Sequence, residues 1–514
     1  MKQFVCILAA AFLTHPAAFS QTAADTVCIL QLNDVYEIGA LSHGQVGGMA
    51  RVTTIVKQHE ARYQTYVVLA GDFVSPSVIG TTTVEGQKVN GKQMVDMMNL
   101  AGVDLVTFGN HEFDIPDSDL QQRINESHFD WVSSDVLHKD TTKGIVSPYY
   151  KIKPDSVAIP TSVLLHSAHG QFTIGIISAT LPSNPQPWVV YNDYLQSFKK
   201  AWEKTQPQSD VVIGLTHLAL DSDRHLLREL IHVPLIMGGH EHKHNLVTVG
   251  EGVIAKADAN AKTIYRHLLF RDGASGKIKV VSELLPVDST VMPDPLVDAA
   301  VKVWEEKAYA AFRKLGLEPD SVVYHIKVPL DGTEEHVRTS QTNLGSLIAQ
   351  AMLAAAPTTQ AAIFNSGSIR IDDMIEGVMT ELDVIRTLPF GGKLYEIELT
   401  GAVINRMLTV SESLKTSGGY LQHSKNISFD SAHARGIING VPVKDAKTYR
   451  IVGNDYLFSG KEKGKMDFLK EGAPGIISIQ RFTSPGDLRA DLRVAVVKYL
   501  AGLEVKQGLK GKKP

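Results

Sequence analysis

The amino-acid sequence predicts an α/β fold with more than one domain, and three observations lead to this prediction. In the first half, short apolar runs rich in β-branched residues alternate with helix-like stretches, which is the pattern of buried strands joined by helices. The chain has 514 residues, too many for one average domain. Finally, Pro293 and Pro295 introduce a helix-like stretch at residues 296–315, and a new α/β region follows from near Asp320.

Five of the apolar runs end in residues that carry polar or acid–base chemistry. In open α/β sheets, ligands bind at the carboxyl ends of the strands, so we expect these five loops to converge on one site. One such ending is ordinary, because Asp favours turns, but five are not. The runs and their endings are residues 26–32 with Asn33-Asp34, 66–70 with Gly71-Asp72, 103–108 with Gly109-Asn110-His111, 211–215 with Thr216-His217, and 233–237 with Gly238-Gly239-His240-Glu241-His242.

These endings supply oxygen and imidazole donors and no thiolate. Such a donor set suits Mn²⁺, Zn²⁺, Co²⁺ or Fe, and the sequence does not choose among them. The candidate metal ligands are Asp34, Asp72, Asn110, His217, His240 and His242.

The order of the endings resembles that of the calcineurin-like metallophosphoesterases, whose signature reads D-x-H, GD, GNHE, H and GHxH. The resemblance implies a four-layer αββα domain with two divalent metal ions. It also implies cleavage of a phosphate ester by a metal-bound hydroxide. The implied ligands are Asp72 for both ions, Asp34 and His242 for the first ion, and Asn110, His217 and His240 for the second.

Two further residues of this motif are expected to act in catalysis. The leaving group needs positive charge or a proton, and the His111 imidazole is the group expected to supply it. Asp114 lies three residues on, close enough across a turn to accept a hydrogen bond from the other ring nitrogen. The alternative is that Asp114 caps the helix expected after residues 115–117.

The chain departs from the D-x-H signature at Tyr36, which stands where a histidine ligand is expected. A neutral phenol is a poor ligand for a hard divalent cation unless the metal drives its ionisation. Three outcomes are open: Tyr36 binds as phenolate, Glu37 or water fills the gap, or the first site is weak and activity needs added metal. We expect a weakened but working site, because every other position of the signature is present.

The net charge and the amino-terminal sequence indicate which partners and which cellular compartment to expect. The formal net charge of −4 gives no support for nucleic-acid binding. The first 20 residues have the layout of a cleavable signal peptide, and their apolar run at residues 4–13 is too short to span a bilayer. We therefore expect a periplasmic or secreted protein without a transmembrane segment, in which Cys28 is the one remaining cysteine and a buried structural residue.

The second half resembles the C-terminal domain of 5'-nucleotidases. Residues 365–370 follow the pattern N-x-G-G-I-R except at the second glycine, and residues 389–392 read PFGG. A nucleotide needs a flat platform for its base and fixed cations for its acidic groups, and stacking contributes about 1–3 kcal/mol per base. The implied substrate-binding residues are Arg338, Asn365, Arg370, Phe390 and Tyr456.

These substrate residues have structural alternatives, and one segment departs from the family. The aromatic residues could be core residues, and an arginine is usually a solvated surface charge. After Tyr456 the family has GGDG, whose Asp contacts ribose, whereas residues 459–467 of this chain read SGKEKGKMD. Asp467 is a candidate substitute at a different spacing.

Together these patterns predict an exported, two-metal phosphohydrolase that acts on nucleoside 5'-monophosphates, nucleotide sugars or 2',3'-cyclic nucleotides. The alternatives are a nucleotide-binding protein with weakened catalysis and a hydrolase of the same family with a non-nucleotide substrate. The predicted segments are a signal peptide at 1–20, a metallophosphoesterase catalytic domain at 25–290, a linker helix at 291–318, a 5'-nucleotidase-type substrate-binding domain at 319–505 and a basic tail at 506–514.

Overall fold

A computed structural model describes residues 26–183, 185–460, 465–484 and 486–506. The predicted signal peptide and the tail beyond residue 506 lie outside these residues. Among the described helices, none combines the length and the hydropathy that crossing a bilayer requires.

The N-terminal domain contains two mixed six-stranded sheets. The first sheet has the order β12-β11-β1-β2-β3-β4 and the second the order β5-β6-β7-β8-β10-β9. In chain order the strands are β1 Val27–Leu32, β2 Gln64–Leu69, β3 Leu105–Thr107, β4 Asp130–Val132, β5 Ser162–His166, β6 Thr173–Thr180, β7 Val211–His217, β8 Leu235–Gly238, β9 Asn245–Val249, β10 Gly252–Lys256, β11 Thr263–Arg271 and β12 Ile278–Pro286.

The two sheets pack face to face, because alternate residues of each strand point into the space between them. Val27 and Ile29 of β1 share a buried core with Ile213 and Leu215 of β7. The helices cover the outer faces. Four of them share the buried core on the outer face of the first sheet and two share that of the second, which confirms the predicted four-layer αββα arrangement. They are α1 Met49–Glu60, α2 Lys92–Ala101, α3 Asp117–Glu126, α4 Tyr194–Thr205, α5 Leu220–Glu229 and α6 Pro295–Lys314.

All five predicted strands form, and their carboxyl ends meet at one edge of the domain. β1, β2 and β3 are parallel neighbours in the first sheet, and β7 and β8 are parallel neighbours in the second. The Asp34 amide donates to the Gly71 carbonyl at 3.1 Å, which joins two of the loops directly. This arrangement brings the five predicted endings together.

The helix expected between the domains is α6, which runs from Pro295 to Lys314. The Asp294 side chain accepts hydrogen bonds from the Leu296 and Val297 amides and so caps its first turn. Phe312, near the other end, shares a buried core with Ile385 of the C-terminal domain. The helix is therefore packed against both domains.

The C-terminal domain has a mixed five-stranded sheet of order β15-β13-β16-β14-β17. Helices α8 and α11 share its larger buried core, and α10 packs on the opposite side. The strands are β13 Ala362–Asn365, β14 Leu394–Thr400, β15 Leu421–His423, β16 Thr448–Asn454 and β17 Ile476–Gln480. The helices are α7 Glu334–Val337, α8 Asn343–Ala355, α9 Glu381–Thr387, α10 Gly401–Glu412 and α11 Leu492–Lys506.

Short elements complete the fold. One-turn helices lie at His111–Asp114, Gln206–Gln208, Ser366–Ser368, Leu457–Ser459 and Leu488–Ala490. The remaining short strands are Thr83–Val84, Gln87–Lys88, Val136–Lys139, Val146–Ser147, Tyr150–Lys153, Asp155–Ala158, Val189–Tyr191, Val322–His325, Leu330–Asp331, Met374–Ile375, Val378–Thr380, Ile427–Asp430, Arg435–Ile438 and Val441–Pro442.

Candidate metal centre and interdomain cleft

Three of the predicted ligands have left-handed backbone conformations. The φ angles are 52° at Asp34, 56° at Asp72 and 81° at His240. Residues other than glycine rarely adopt this region, and such conformations cost of order 1–3 kcal/mol. The strand ends therefore hold these side chains in place at a cost in backbone strain, as is common at functional sites.

One group of donors surrounds His217, which is fully buried. Its Nε2 lies 3.2 Å from Oδ2 of Asp72 and 4.0 Å from Oδ1 of Asp34. Its Nδ1 is 2.7 Å from the Ala70 carbonyl oxygen, to which it donates, so the Nε2 lone pair can face a cation. Among the described residues, neither His217 Nε2 nor Asn110 Oδ1 has a hydrogen-bond partner.

The electrostatics of this group also suit a cation. Burial disfavours the charged form of His217, yet the carboxylates of Asp72 and Asp34 outweigh it and raise its pKa to about 9, so a divalent ion would take the place of the Nε2 proton when it binds between the same carboxylates. Burial and the neighbouring His217 lower the pKa of His240 to about 4. The unpaired buried acceptors and the two carboxylates therefore fit a divalent ion, with oxygen and imidazole donors of the kind that transition metals and zinc accept.

A second group of donors surrounds the hydroxyl of Tyr36. This oxygen lies 3.3 Å from Asp34 Oδ1, 3.1 Å from Asp72 Oδ2 and 3.2 Å from His242 Nε2. On the other side of its ring, His242 donates from Nδ1 to the carboxylate of Asp372 in the C-terminal domain. Burial and the carboxylates of Asp72 and Asp34 raise the pKa of Tyr36 well above its usual value. Asp72 thus contacts both groups.

The His111–Asp114 pair has the geometry expected of an imidazole held by a carboxylate. One turn of 3-10 helix at His111–Asp114 places Asp114 Oδ2 2.6 Å from His111 Nδ1. The next helix begins at Asp117, and its N-cap residue, Pro116, makes no side-chain capping hydrogen bond. The Arg370 Nη2 atom reaches across from the C-terminal domain to 3.2 Å from the His111 ring nitrogens.

Glu112 supports the centre in a way that the motif did not reveal. Its fully buried carboxylate accepts hydrogen bonds from four backbone amides in two loops, those of Asp72, Phe73, Val74 and Gly109. A Cβ at Gly109 would come within 2.6 Å of the Asp72 backbone nitrogen, so only glycine allows this approach. These contacts connect strands distant in sequence, and therefore no local pattern signals them.

Lys256 is a second supporting residue that the sequence analysis missed. It is fully buried, and its Nζ donates to the Leu218 carbonyl at 2.6 Å and the Gly239 carbonyl at 2.8 Å. It also pairs with Asp223 at 2.7 Å and with Glu241. The ammonium thus ties together the loops that follow His217 and precede His240.

The predicted substrate residues lie in the C-terminal domain beside this edge. Asn365 is buried, and its Oδ1 accepts from Asn454 Nδ2 at 2.9 Å, which links β13 to the loop that carries Tyr456. Phe390 and Tyr456 are 55% and 43% exposed, so neither is a core residue. The guanidinium carbon of Arg370 lies 6.0 Å from the centre of the Phe390 ring.

The remaining predicted residues are placed as follows. Arg338 pairs with Glu334 at 2.5 Å, and burial lowers its pKa. Asp467 is exposed, and residues 461–464 of the segment that replaces GGDG lie outside the described residues. The cleft between the domains is lined by side chains of both, among them Tyr36, His242, Lys262, Arg370, Asp372 and Arg386.

Comparisons with known proteins agree with this architecture. The family model "Calcineurin-like phosphoesterase" matches residues 28–244, and "5'-nucleotidase, C-terminal domain" matches residues 322–471. The trifunctional nucleotide phosphoesterase protein YfkN of Bacillus subtilis is 29% identical over 74% of this chain, which spans 27% of that protein's length. Protein UshA of Yersinia enterocolitica is 24% identical over 94% of this chain and 92% of its own.

A solved structure extends the agreement to the whole fold. The 5'-nucleotidase precursor of Thermus thermophilus superposes with a TM-score of 0.70 and 25% identity, over 93% of this chain and 96% of that one. The fold and the site therefore define a metal-dependent phosphoric ester hydrolase. With a calcineurin-like domain followed by a 5'-nucleotidase C-terminal domain, the chain belongs to the 5'-nucleotidase family.

Proposed function

We propose that the chain is an exported, two-metal 5'-nucleotidase-type enzyme that releases phosphate from nucleoside 5'-monophosphates. Nucleotide sugars and 2',3'-cyclic nucleotides are further substrates under this proposal. The observation that carries it is the position of Arg370, which contacts the His111 ring on one side and approaches the exposed Phe390 ring on the other. One cation thus links the catalytic histidine to the aromatic surface expected to bind the base.

Two groups of donors that share Asp72 would hold the two ions. A pair of divalent ions supplies Lewis-acid stabilisation of the phosphoryl oxygens and activation of water. In this proposal the first ion is held by Asp34, Asp72 and His242, and the second by Asp72, Asn110, His217 and His240.

His111 would supply charge and a proton to the departing oxygen. Its Nδ1–H group donates to Asp114, which orients the ring and stabilises the imidazolium whose Nε2 proton would pass to the departing oxygen. Arg370 Nη2 lies near this nitrogen, and its guanidinium would bind two oxygens of the substrate phosphate in a bidentate manner. We expect removal of the His111 imidazole to lower turnover by about 10²–10⁴-fold.

The C-terminal domain would select the substrate. Phe390 is exposed and available for stacking on a base, with Tyr456 proposed as the facing ring. The polar residues are Arg338, near the same cleft, and Asn365, which is proposed to hydrogen-bond the base. Export rests on the signal-peptide layout of residues 1–20.

The experiment is phosphate release from a panel of nucleotides by the mature protein, stripped of metal and then resupplied with Mn²⁺, Zn²⁺, Co²⁺ or Mg²⁺. We expect metal-dependent release from nucleoside monophosphates and its loss in His111→Ala. No turnover with any metal, while nucleotides still bind, would instead identify a binding protein.

Phe390→Ala distinguishes a nucleotidase from a hydrolase of another ester. We expect this variant to lose affinity for nucleotides, with KM raised about 10-fold or more, and to keep its activity on a generic aryl phosphate. The matched control is Phe482→Ala, a ring that packs on Arg489 instead. Equal effects of Phe390→Ala on both substrates would contradict a base-stacking role.

A further inference from the structure

The hydroxyl of Tyr36 belongs to a compact group of donor atoms. Its oxygen lies 3.1–3.3 Å from Asp34 Oδ1, Asp72 Oδ2 and His242 Nε2. Two of these partners, Asp34 Oδ1 and His242 Nε2, are themselves 3.5 Å apart.

These distances show that the hydroxyl is a corner of the group and does not fill its centre. The triangle formed with Asp34 Oδ1 and His242 Nε2 has sides of 3.2, 3.3 and 3.5 Å, so it is nearly equilateral. If a hydroxyl oxygen lay at the centre of three hydrogen-bond partners in one plane, each at an ordinary hydrogen-bond length, the partners would be about 5.5 Å from one another. The observed separation is far shorter, and both partners lie on the same side of the oxygen.

Three of these atoms, the Tyr36 hydroxyl oxygen, Asp34 Oδ1 and His242 Nε2, form the nearly equilateral triangle, and Asp72 Oδ2 lies 3.1 Å from the hydroxyl oxygen. An equilateral triangle with an edge of about 3.3 Å has its centre about 1.9 Å from every corner, so a point just outside its plane lies about 2.0 Å from all three atoms, which is the distance at which zinc binds nitrogen and oxygen ligands. These three atoms therefore have the spacing of a ligand set.

The surroundings fix Tyr36 in this position. Its backbone amide donates to Asn260 Oδ1 at 3.0 Å, and its ring packs edge-on against His242, with centroids 5.5 Å apart. The Nδ1 atom of His242 is occupied by Asp372, so the Nε2 lone pair faces the same point as the Tyr36 oxygen. Neither side chain has to turn in order to bind an ion.

We propose that Tyr36 is a ligand of the first metal ion and binds it through its phenolate oxygen. The inference rests on the proposed two-metal function. Binding would release the phenol proton to solvent as the oxygen–metal bond forms. The first site would then have three anionic oxygens and one imidazole, from Asp34, Tyr36, Asp72 and His242. This donor set is harder than that of the second site, which has one carboxylate, an amide oxygen and two imidazoles, and it favours a harder ion.

The test is a Zn²⁺ titration of the metal-stripped full chain, followed by ultraviolet difference absorption, proton release and equilibrium dialysis. We expect the wild type to bind two ions and to develop the red-shifted absorption of one tyrosinate per chain. The control is Tyr66, whose hydroxyl donates to the His166 carbonyl away from the site. The Tyr66→Phe variant should behave like the wild type.

Two variants at position 36 distinguish a metal-ligand role of Tyr36 from a purely structural one. Tyr36→Phe should lose the tyrosinate signal and bind the first ion at least about 10-fold more weakly. Tyr36→His should lose the signal but keep two ions, because imidazole is a ligand that zinc accepts. Circular dichroism of the metal-free variants checks their folding. If Tyr36→Phe fails to fold, the tyrosinate absorption of the wild type and its loss in Tyr36→His decide whether Tyr36 is a ligand.

Failure of this inference can be told apart from failure of the proposed function. If the wild type binds zinc and releases phosphate without a tyrosinate signal, and Tyr36→Phe binds zinc equally well, Tyr36 is not a ligand and the nucleotidase stands. If the wild type neither binds a second ion nor hydrolyses any nucleotide, both proposals are wrong.

Discussion

Glu112 illustrates how a single buried residue organises the metal-binding edge. Its two oxygens lie 2.5–3.1 Å from the amide nitrogens of Gly109, Asp72, Phe73 and Val74. Burial raises the pKa of this carboxyl to about 7, with a further contribution from Asp72. The residue therefore fixes the backbone of the loop that carries Asp72 and joins it to the loop that carries Asn110.

We predict that Glu112→Gln destabilises the protein by about 3 kcal/mol, because the amide NH₂ group replaces an acceptor that faces backbone donors. Denaturant unfolding of the metal-free chain measures this effect. Glu251→Gln, at an exposed position, is the control and should change little. A Glu112→Gln protein as stable as the wild type would show that these four amides do not depend on the carboxylate.

Among single residues, the sequence predicted those with distinctive chemistry at strand ends. Asp34, Asp72 and His217 lie together as expected, since the parallel strands bring their loops to one edge. Lys256 and Asp372 could not be predicted, because each acts through partners that are distant in sequence. Such pairings depend on tertiary packing, which leaves no local pattern.

At the scale of elements, a polar link between the two sheets holds the strand ends in register. Gln31 of β1 donates to the Gly238 and Ala255 carbonyls of the second sheet, at 3.0 and 2.9 Å. Its Oε1 lies 2.9 Å from Nε2 of the fully buried His267 on β11. The link lies two residues before Asn33, so it positions the loop that carries Asp34.

This link makes a specific contribution to the pH dependence of stability. Burial lowers the pKa of His267 to about 3, whereas the same ring in the unfolded chain titrates near 6.5. The unfolded state therefore binds the proton more tightly. The stability that comes from the neutral ring is complete above about pH 6.5 and is lost as the pH falls from there toward about 3.

We predict that, when the pH is lowered from 7.5 to 5, the free energy of unfolding of the wild type falls by about 2 kcal/mol more than that of His267→Gln. Free energies of unfolding at the two pH values, measured for both proteins, give this difference. The exposed His166, changed to Gln, should show no such dependence. An unchanged difference between wild type and His267→Gln at the two pH values would refute the neutral buried state of His267.

Element boundaries were predicted well where the pattern was strong. The helix expected at residues 296–315 spans Pro295–Lys314, and the strand expected at residues 26–32 spans Val27–Leu32. Antiparallel strands such as β11 and β12, which complete the first sheet beside β1, were not singled out. Their half-exposed, alternating residues lack the continuous apolar run that marks the central strands.

At the scale of the whole molecule, side chains of the C-terminal domain complete the edge of the catalytic domain. The carboxylate of Asp372 accepts a hydrogen bond from His242 and a second one from the Glu334 amide. The neighbouring Asp373 pairs with Lys262 at 2.5 Å across the same interface. The position of the domains is thus coupled to the orientation of one proposed metal ligand.

We predict that Asp372→Asn weakens binding of the first ion about 10–100-fold, because a neutral amide holds the His242 tautomer less firmly. Calorimetric titration with Zn²⁺ measures this change. The matched control is Asp373→Asn, which breaks an ion pair at the same interface without touching a proposed ligand, and it should leave metal affinity unchanged. If both variants lost metal affinity equally, the effect would come from the packing of the domains and not from the His242 tautomer.

Both proposals require that two ions share Asp72 at this edge, and the second adds Tyr36 to the ligands of the first ion. The most direct measurement is anomalous X-ray scattering from crystals of the protein grown with Mn²⁺. We predict two peaks roughly 3.5–4 Å apart, one of them within bonding distance of the Tyr36 oxygen. A single peak between Asp72 and His217, with the Tyr36 hydroxyl still hydrogen-bonded to Asp34, would contradict both proposals.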